Sequence, residues 1–128
     1  MFQIDVMSRQ PVYEQIISQV EQFVLTKILA SGSQIPSVRS LSVELSINPN
    51  TIQKAYSELD RRGIIYSVPG KGCFITNNAM DILSSSKRSQ IKELEKSIYE
   101  LALAGVSREE IIKCIDNAFQ MKGAIKND

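Results

Sequence analysis

The chain has 128 residues, with 15 Lys and Arg against 14 Asp and Glu, two Cys and no His. That length fits one domain, or a small domain with an appendage, and the net charge of +1 argues weakly against a protein that simply coats nucleic acid or anionic membrane. Without His there is no His-based acid–base catalysis and no His-ligated metal, and Cys73 and Cys114 stand outside any CxxC pair, as ordinary thiols of a reducing compartment.

Residues 1–7 alternate, with Phe2, Ile4 and Val6 to one side and Gln3 and Asp5 to the other, the pattern of a short strand or extended arm. Pro11 suits the first turn of a helix. Helical spacing then links Val12, Ile16, Val20, Phe23, Val24 and Ile28, with Ile17, Leu25 and Leu29 widening the stripe, and predicts a first helix over residues 12–30, ended by Ser31, Gly32 and Ser33. A second helix is expected with Ser37 as N-cap and Val38, Leu41 and Leu45 inward. Asn48 and Pro49 open a third over residues 49–62, burying Ile52, Ala55, Tyr56 and Leu59 and ending at a left-handed Gly63. Residues 64–68 and 73–76 read as strands around the turn Pro69, Gly70, Lys71, Gly72.

Residues 79–90 are polar, and the serine-rich segment 84–89 reads as a linker. Ile91, Leu94, Ile98 and Leu101 then recur at 3–4–3 spacing, the seam of a helix that packs on another helix, until Gly105 stops it. Ser107 and Glu110 form a capping box. Ile111, Ile115, Ala118 and Phe119 face the last helix, before Gly123 and a polar tail.

Three helices followed by a hairpin make a winged helix-turn-helix, in which the third helix reads DNA and the hairpin is the wing. The third helix exposes Asn50, Thr51, Gln53, Lys54 and Ser57, side chains that donate and accept at base edges, plus a cation for phosphate. Its N-terminal amides would favour a phosphate as well. Acids enter only at Glu58 and Asp60, in the far half. A plain solvated face is the alternative. Lys71 between Gly70 and Gly72 puts a cation at a tip whose backbone can approach a groove, against the alternative of an ordinary tight turn. Arg39, just inside the second helix, is placed for the DNA backbone or a base, or for a surface salt bridge. Residues 34–78 hold five basic and three acidic groups, and residues 79–128 hold eight of each.

The run from Gln34 to Leu41, QIPSVRSL, resembles the opening of the helix-turn-helix in the GntR family of bacterial transcription regulators. The segment from Ile47 to Tyr56, INPNTIQKAY, is similar to that family's recognition helix. LDRRGII followed by GKGCFI resembles its wing, and PVYEQI at residues 11–16 its first helix. The resemblance covers residues 9–76, with Ile35, Ser42 and Cys73 as mild departures. It implies DNA contact by Ser37, Arg39, Asn50, Thr51, Gln53, Lys54, Lys71 and Gly72, with Tyr56 near the backbone. The short helical remainder resembles the YtrA-like subfamily, whose tail serves dimerisation and whose targets suggest a transporter operon.

The expectation is therefore a mainly α protein with a small β-hairpin. Residues 1–78 form a winged helix-turn-helix, and residues 79–128 form a linker and a two-helix dimerisation tail seamed by Ile91, Leu94, Ile98, Leu101, Ile111, Ile115 and Phe119. The expected partners are a double-stranded, palindromic DNA operator and a second copy of the chain, in the role of repressor. The tail is too small to enclose a metabolite pocket by itself, and a small-molecule effector at the dimer interface stays open. No cofactor, metal or catalytic group is expected. The alternative is a winged-helix module that binds protein instead, against which the polar third helix argues. No apolar run is long enough for a membrane span and residues 1–5 do not resemble a signal peptide, so a cytoplasmic protein is expected.

Overall fold

The computed structural model describes residues 1–127. Its elements are α1 (Val12–Leu25), β1 (Gln34–Ile35), α2 (Val38–Leu45), α3 (Pro49–Arg61), β2 (Ile65–Val68), β3 (Gly72–Ile75), α4 (Ala79–Arg88), α5 (Ile91–Leu103) and α6 (Arg108–Asn127). They divide into two units, residues 1–83 and residues 84 onward. The mainly helical winged helix-turn-helix expected from the sequence is present.

In the first unit the apolar stripes of α1, α2 and α3 converge. Ile16, Val20, Leu41, Ile52 and Leu59 are fully buried, joined by Ile64 and by Ile65 and Ile75 from the sheet. Each such side chain contributes roughly 1.5–3 kcal/mol by leaving water. The caps act as read: Ser37 Oγ accepts from the Ser40 amide at 3.0 Å and Asn48 Oδ1 from the Asn50 amide at 2.8 Å. Gly63 closes α3 at φ +82°, and the Ile64 amide folds back to the Leu59 carbonyl at 3.0 Å.

Of the strand or extended arm expected for residues 1–7, the structure has the arm, which pairs with no strand and is clamped by α1. Gln15 Oε1 accepts from the Asp5 amide at 2.9 Å while its Nε2 donates to the Asp5 carbonyl at 2.9 Å. Gln19, one turn on, brackets Gln3 in the same way. Two glutamine amides thus replace a strand partner, Phe2 enters the core against Phe23, and Val6 stays exposed.

Helix α1 ends at Leu25 and not at residue 30. Thr26 Oγ1 donates to the Gln22 carbonyl, Lys27 takes φ +64°, and the Leu29 amide reaches the Phe23 carbonyl. The turn returns Leu29 to the core and leaves Ile28 outside, so a loop satisfies part of the stripe that helical spacing suggested.

The wing gains a third strand. β1 pairs antiparallel with β3, giving the order β1-β3-β2, with Gln34 opposite Phe74 and Phe74 opposite Tyr66.

The expected linker is helix α4 over much of its length, because Ala79, Ile82 and Leu83 give it an inward face against the first unit's core. That core therefore runs to Leu83, past residue 78, and three helices follow the wing in place of two.

In the second unit Ser107 Oγ accepts from the Glu110 amide at 3.2 Å, as the capping box requires. Gly123 does not end α6, which continues to Asn127; of the expected polar tail, Asp128 lies outside the described residues. α5 buries none of its residues. Of the expected seam, Ile98 and Ile111 are half-buried, while Ile91, Leu94, Leu101, Ile115 and Phe119 are exposed. No helix among the described residues is long and apolar enough to cross a membrane.

Candidate nucleic-acid interface

Helix α3 buries Ile52, Ala55, Tyr56 and Leu59, and this fixes which side chains face out. Asn50, Gln53, Lys54 and Ser57 are exposed, and Thr51 is half-exposed. No acid occupies the first turn. Gln53 Nε2 donates to Ser57 Oγ at 3.1 Å, one turn along, which lays the amide against the helix with its carbonyl oxygen free to accept. The N-terminal amides of α3 are already committed. Asn50 bonds the Asn48 side chain, and Thr51 and Ile52 reach the Asn48 carbonyl. The expected phosphate seat at this helix end is therefore occupied by the protein's own cap.

Lys54 is engaged within the molecule. Its Nζ lies 3.9 Å above the centre of the Tyr13 ring on α1, a cation–π contact that holds the ammonium at the α1–α3 cleft. Tyr13 in turn donates to Glu14 Oε1 at 3.2 Å, and that bond raises the pKa of its phenol. Tyr13 was not among the candidate residues. Tyr13 is half-buried against the core, and only the packing of α1 on α3 brings Lys54 over it.

Tyr56, expected to pack its ring and turn its phenol toward the DNA backbone, has that phenol engaged inside the protein. It is 2% exposed, and its hydroxyl donates to the Pro36 carbonyl at 2.7 Å. Burial, with the nearby Cys73 as a smaller influence, pushes the phenol far above its ordinary range. Tyr56 is thus a strut from α3 to the segment that begins α2. Its apolar spacing signalled the burial, and a buried phenol needs an acceptor.

At the head of α2, Ser37 is exposed and already accepts the cap bond, which leaves its hydroxyl proton available. Arg39 is exposed and makes no ion pair among the described residues, so the salt-bridge alternative is not what the structure has. Arg61 and Arg62 do pair. Arg61 binds Glu58 at 2.7 Å, and Arg62 binds Glu21 at 3.0 Å and Glu58 at 3.4 Å. The Arg61 hydrogen bond holds the Glu58 carboxyl below its usual range. The positive excess of residues 34–78 is thus partly neutralised by α1, and among the described residues Arg39, Lys54 and Lys71 have no acidic partner.

The wing tip follows the sequence. The Lys71 amide bonds the Val68 carbonyl at 2.9 Å around Pro69 and Gly70, and Lys71 is exposed. Gly72 adopts φ +120°, a conformation side chains rarely take. A residue outside the candidates joins it: Gln34 Nε2 donates to the Lys71 carbonyl at 2.9 Å. Gln34 opens the run QIPSVRSL, but a strand of two residues has no period that would assign its side chain a role. No group of three or more metal-ligating side chains occurs among the described residues.

Residues 12–75 match the family described as "Bacterial regulatory proteins, gntR family". The chain is similar to the HTH-type transcriptional repressor YtrA of Bacillus subtilis (strain 168), 42% identical over 130 residues and covering 100% of both chains. Among solved structures, it resembles a transcriptional antiterminator from Listeria monocytogenes EGD-e with a TM-score of 0.74 at 37% identity, over 95% of this chain and 92% of that one. It also resembles the AraR DNA-binding domain solved in complex with operator ORE1, with a TM-score of 0.51 at 27% identity, over 59% of this chain and 95% of that one.

Proposed function

This chain belongs to the GntR family of bacterial regulatory proteins, and on that premise we propose that it acts as a homodimer on a palindromic operator. It is a DNA-binding transcription repressor of the winged helix-turn-helix type. The observation that carries the reading is the outward face of α3, where Asn50, Gln53 and Ser57 present hydrogen-bonding groups with no acid in the first turn. Ser37 and Arg39 lie at the head of α2, and Lys71 and Gly72 at the wing tip. Gln53 reads a base edge, Arg39 a base or phosphate, and Lys71 a phosphate or the adjoining groove. Lys54, exposed and seated over Tyr13, has ammonium donors left for a phosphate.

The exposed apolar residues of α5 and α6 support the dimer. Ile91, Leu94, Leu101, Ile115 and Phe119 are each more than two-fifths exposed in one chain, and a second copy would cover them. An isologous pair presents two recognition helices about 34 Å apart, one DNA turn, which matches a palindrome. The site of action is the cytoplasm, where the DNA is.

Fluorescence anisotropy with the chain's own upstream DNA, against scrambled DNA at physiological salt, tests this. Specific binding by a species that sediments as a dimer is expected. A folded protein that does not distinguish the two DNAs would overturn the reading and favour a protein-binding module.

A further inference from the structure

We propose that Gln34 is a positioning residue of the DNA interface, which fixes the wing tip, and with it Lys71, relative to the recognition helix. The inference rests on the reading of the chain as a DNA-binding regulator.

Two observations meet at the Gln34 amide. Its Nε2 donates to the Lys71 carbonyl at 2.9 Å, a bond from an edge strand to the outermost turn of the wing. The same nitrogen fills the space beside Gly72, where a Cβ would lie 2.6 Å from it. Gly72 therefore serves a fit as well as a backbone conformation, since any side chain there would displace Gln34.

The β2–β3 ladder reaches the tip with Val68 opposite Gly72, and beyond it one backbone bond, Lys71 to Val68, closes the turn, while Gly70 and Gly72 on either side of Lys71 leave the backbone conformational freedom. The Gln34 amide is the second anchor. Its own strand is firmly seated, because Ile35 is buried and the next carbonyl, that of Pro36, accepts the Tyr56 hydroxyl at 2.7 Å. Three consecutive residues thus reach the wing tip at one end and α3 at the other, and Ser37 and Arg39 follow directly. A lysine held in place before binding loses less conformational freedom when it meets a phosphate.

The test combines Gln34→Met, which keeps the length of the side chain and removes the donor, with Lys71→Ala. Operator affinity is measured for wild type, both single variants and the double variant, across a range of salt concentrations. Gln34→Met is expected to weaken binding roughly threefold to tenfold. It should also flatten the logarithmic salt dependence toward the loss of about 0.9 expected when one phosphate contact goes. The double variant should bind no worse than Lys71→Ala alone, and the thermal midpoint of Gln34→Met should match wild type. Wild-type affinity and salt slope in Gln34→Met, or penalties that multiply in the double variant, would overturn the proposal. Amide hydrogen exchange without DNA gives a separate readout. Faster exchange at the Lys71 amide in Gln34→Met supports the anchor and unchanged exchange refutes it, while wild-type protein that ignores its operator refutes only the underlying reading.

Discussion

Ile52 and Leu59 stand seven residues apart on α3, and Leu94 and Leu101 stand seven apart on α5. The first pair is fully buried, whereas Leu94 is 56% and Leu101 46% exposed. The same helical periodicity has two outcomes because the first unit folds three helices and a small sheet around its stripes, while α5 buries none of its own residues. The reading head supplies its own core. The tail carries an apolar stripe that one chain leaves exposed, and this exposure is what the proposed dimer would remove.

The largest expected effect lies in the tail. Leu94→Asp with Leu101→Asp should convert a sedimenting dimer to a monomer and reduce operator affinity on the order of a hundredfold or more, since two linked heads gain that much from simultaneous engagement. The head should keep its unfolding transition. A double variant that still sediments as a dimer would break the comparison. The converse change, Leu59→Ala in the head, should destabilise by about 2–5 kcal/mol through lost burial and a residual cavity. In denaturant titrations that loss should be independent of protein concentration, unlike any loss from the tail.

Much of the head was legible in the sequence because local rules govern it. Ser37, Asn48 and Gly63 each act within a few residues of themselves, and the glycines around Lys71 specify their own turn. The departures come from contacts between residues distant in the chain. Arg62 finds Glu21 and Lys54 finds Tyr13 only because α1 packs on α3, so counting charges along residues 34–78 overstated the free cations. Gln34 meets Lys71 through a two-residue strand too short to show alternation. Helix α4 was masked by its serines, although Ala79, Ile82 and Leu83 carry the 3–4 spacing that places it against the core.

Within the head, reading residues and structural residues should separate by assay. Arg39→Ala and Gln53→Ala should each weaken operator binding by about 1–3 kcal/mol if they meet base edges, with unchanged thermal unfolding. Binding to scrambled DNA should fall little for Gln53→Ala, which leaves the charge untouched. Tyr56→Phe should do the reverse. It removes the bond to the Pro36 carbonyl, and a destabilisation of about 1 kcal/mol is expected in chemical denaturation. A pronounced loss of operator affinity with no loss of stability would return Tyr56 to the reading surface.

The smallest expected effect concerns Glu58, where stability and DNA binding should move in opposite directions. Its hydrogen bond from Arg61 lowers its carboxyl pKa in the folded state. Such a group adds stability that is fully present above the unfolded carboxylate range, near pH 4.3, and is lost as pH falls through the folded value. Glu58→Gln should therefore be slightly less stable than wild type at neutral pH, and the two should converge in acid. The Arg61 side chain is 72% exposed, so the difference is small and shrinks with added salt. Removing the carboxylate also frees Arg61 and leaves Arg62 with Glu21 alone, so affinity for any DNA should rise slightly and depend more steeply on salt. A loss of specific operator affinity in Glu58→Gln would instead give the acid a part in recognition, and the division between the acid-free first turn of α3 and its paired second half would fail.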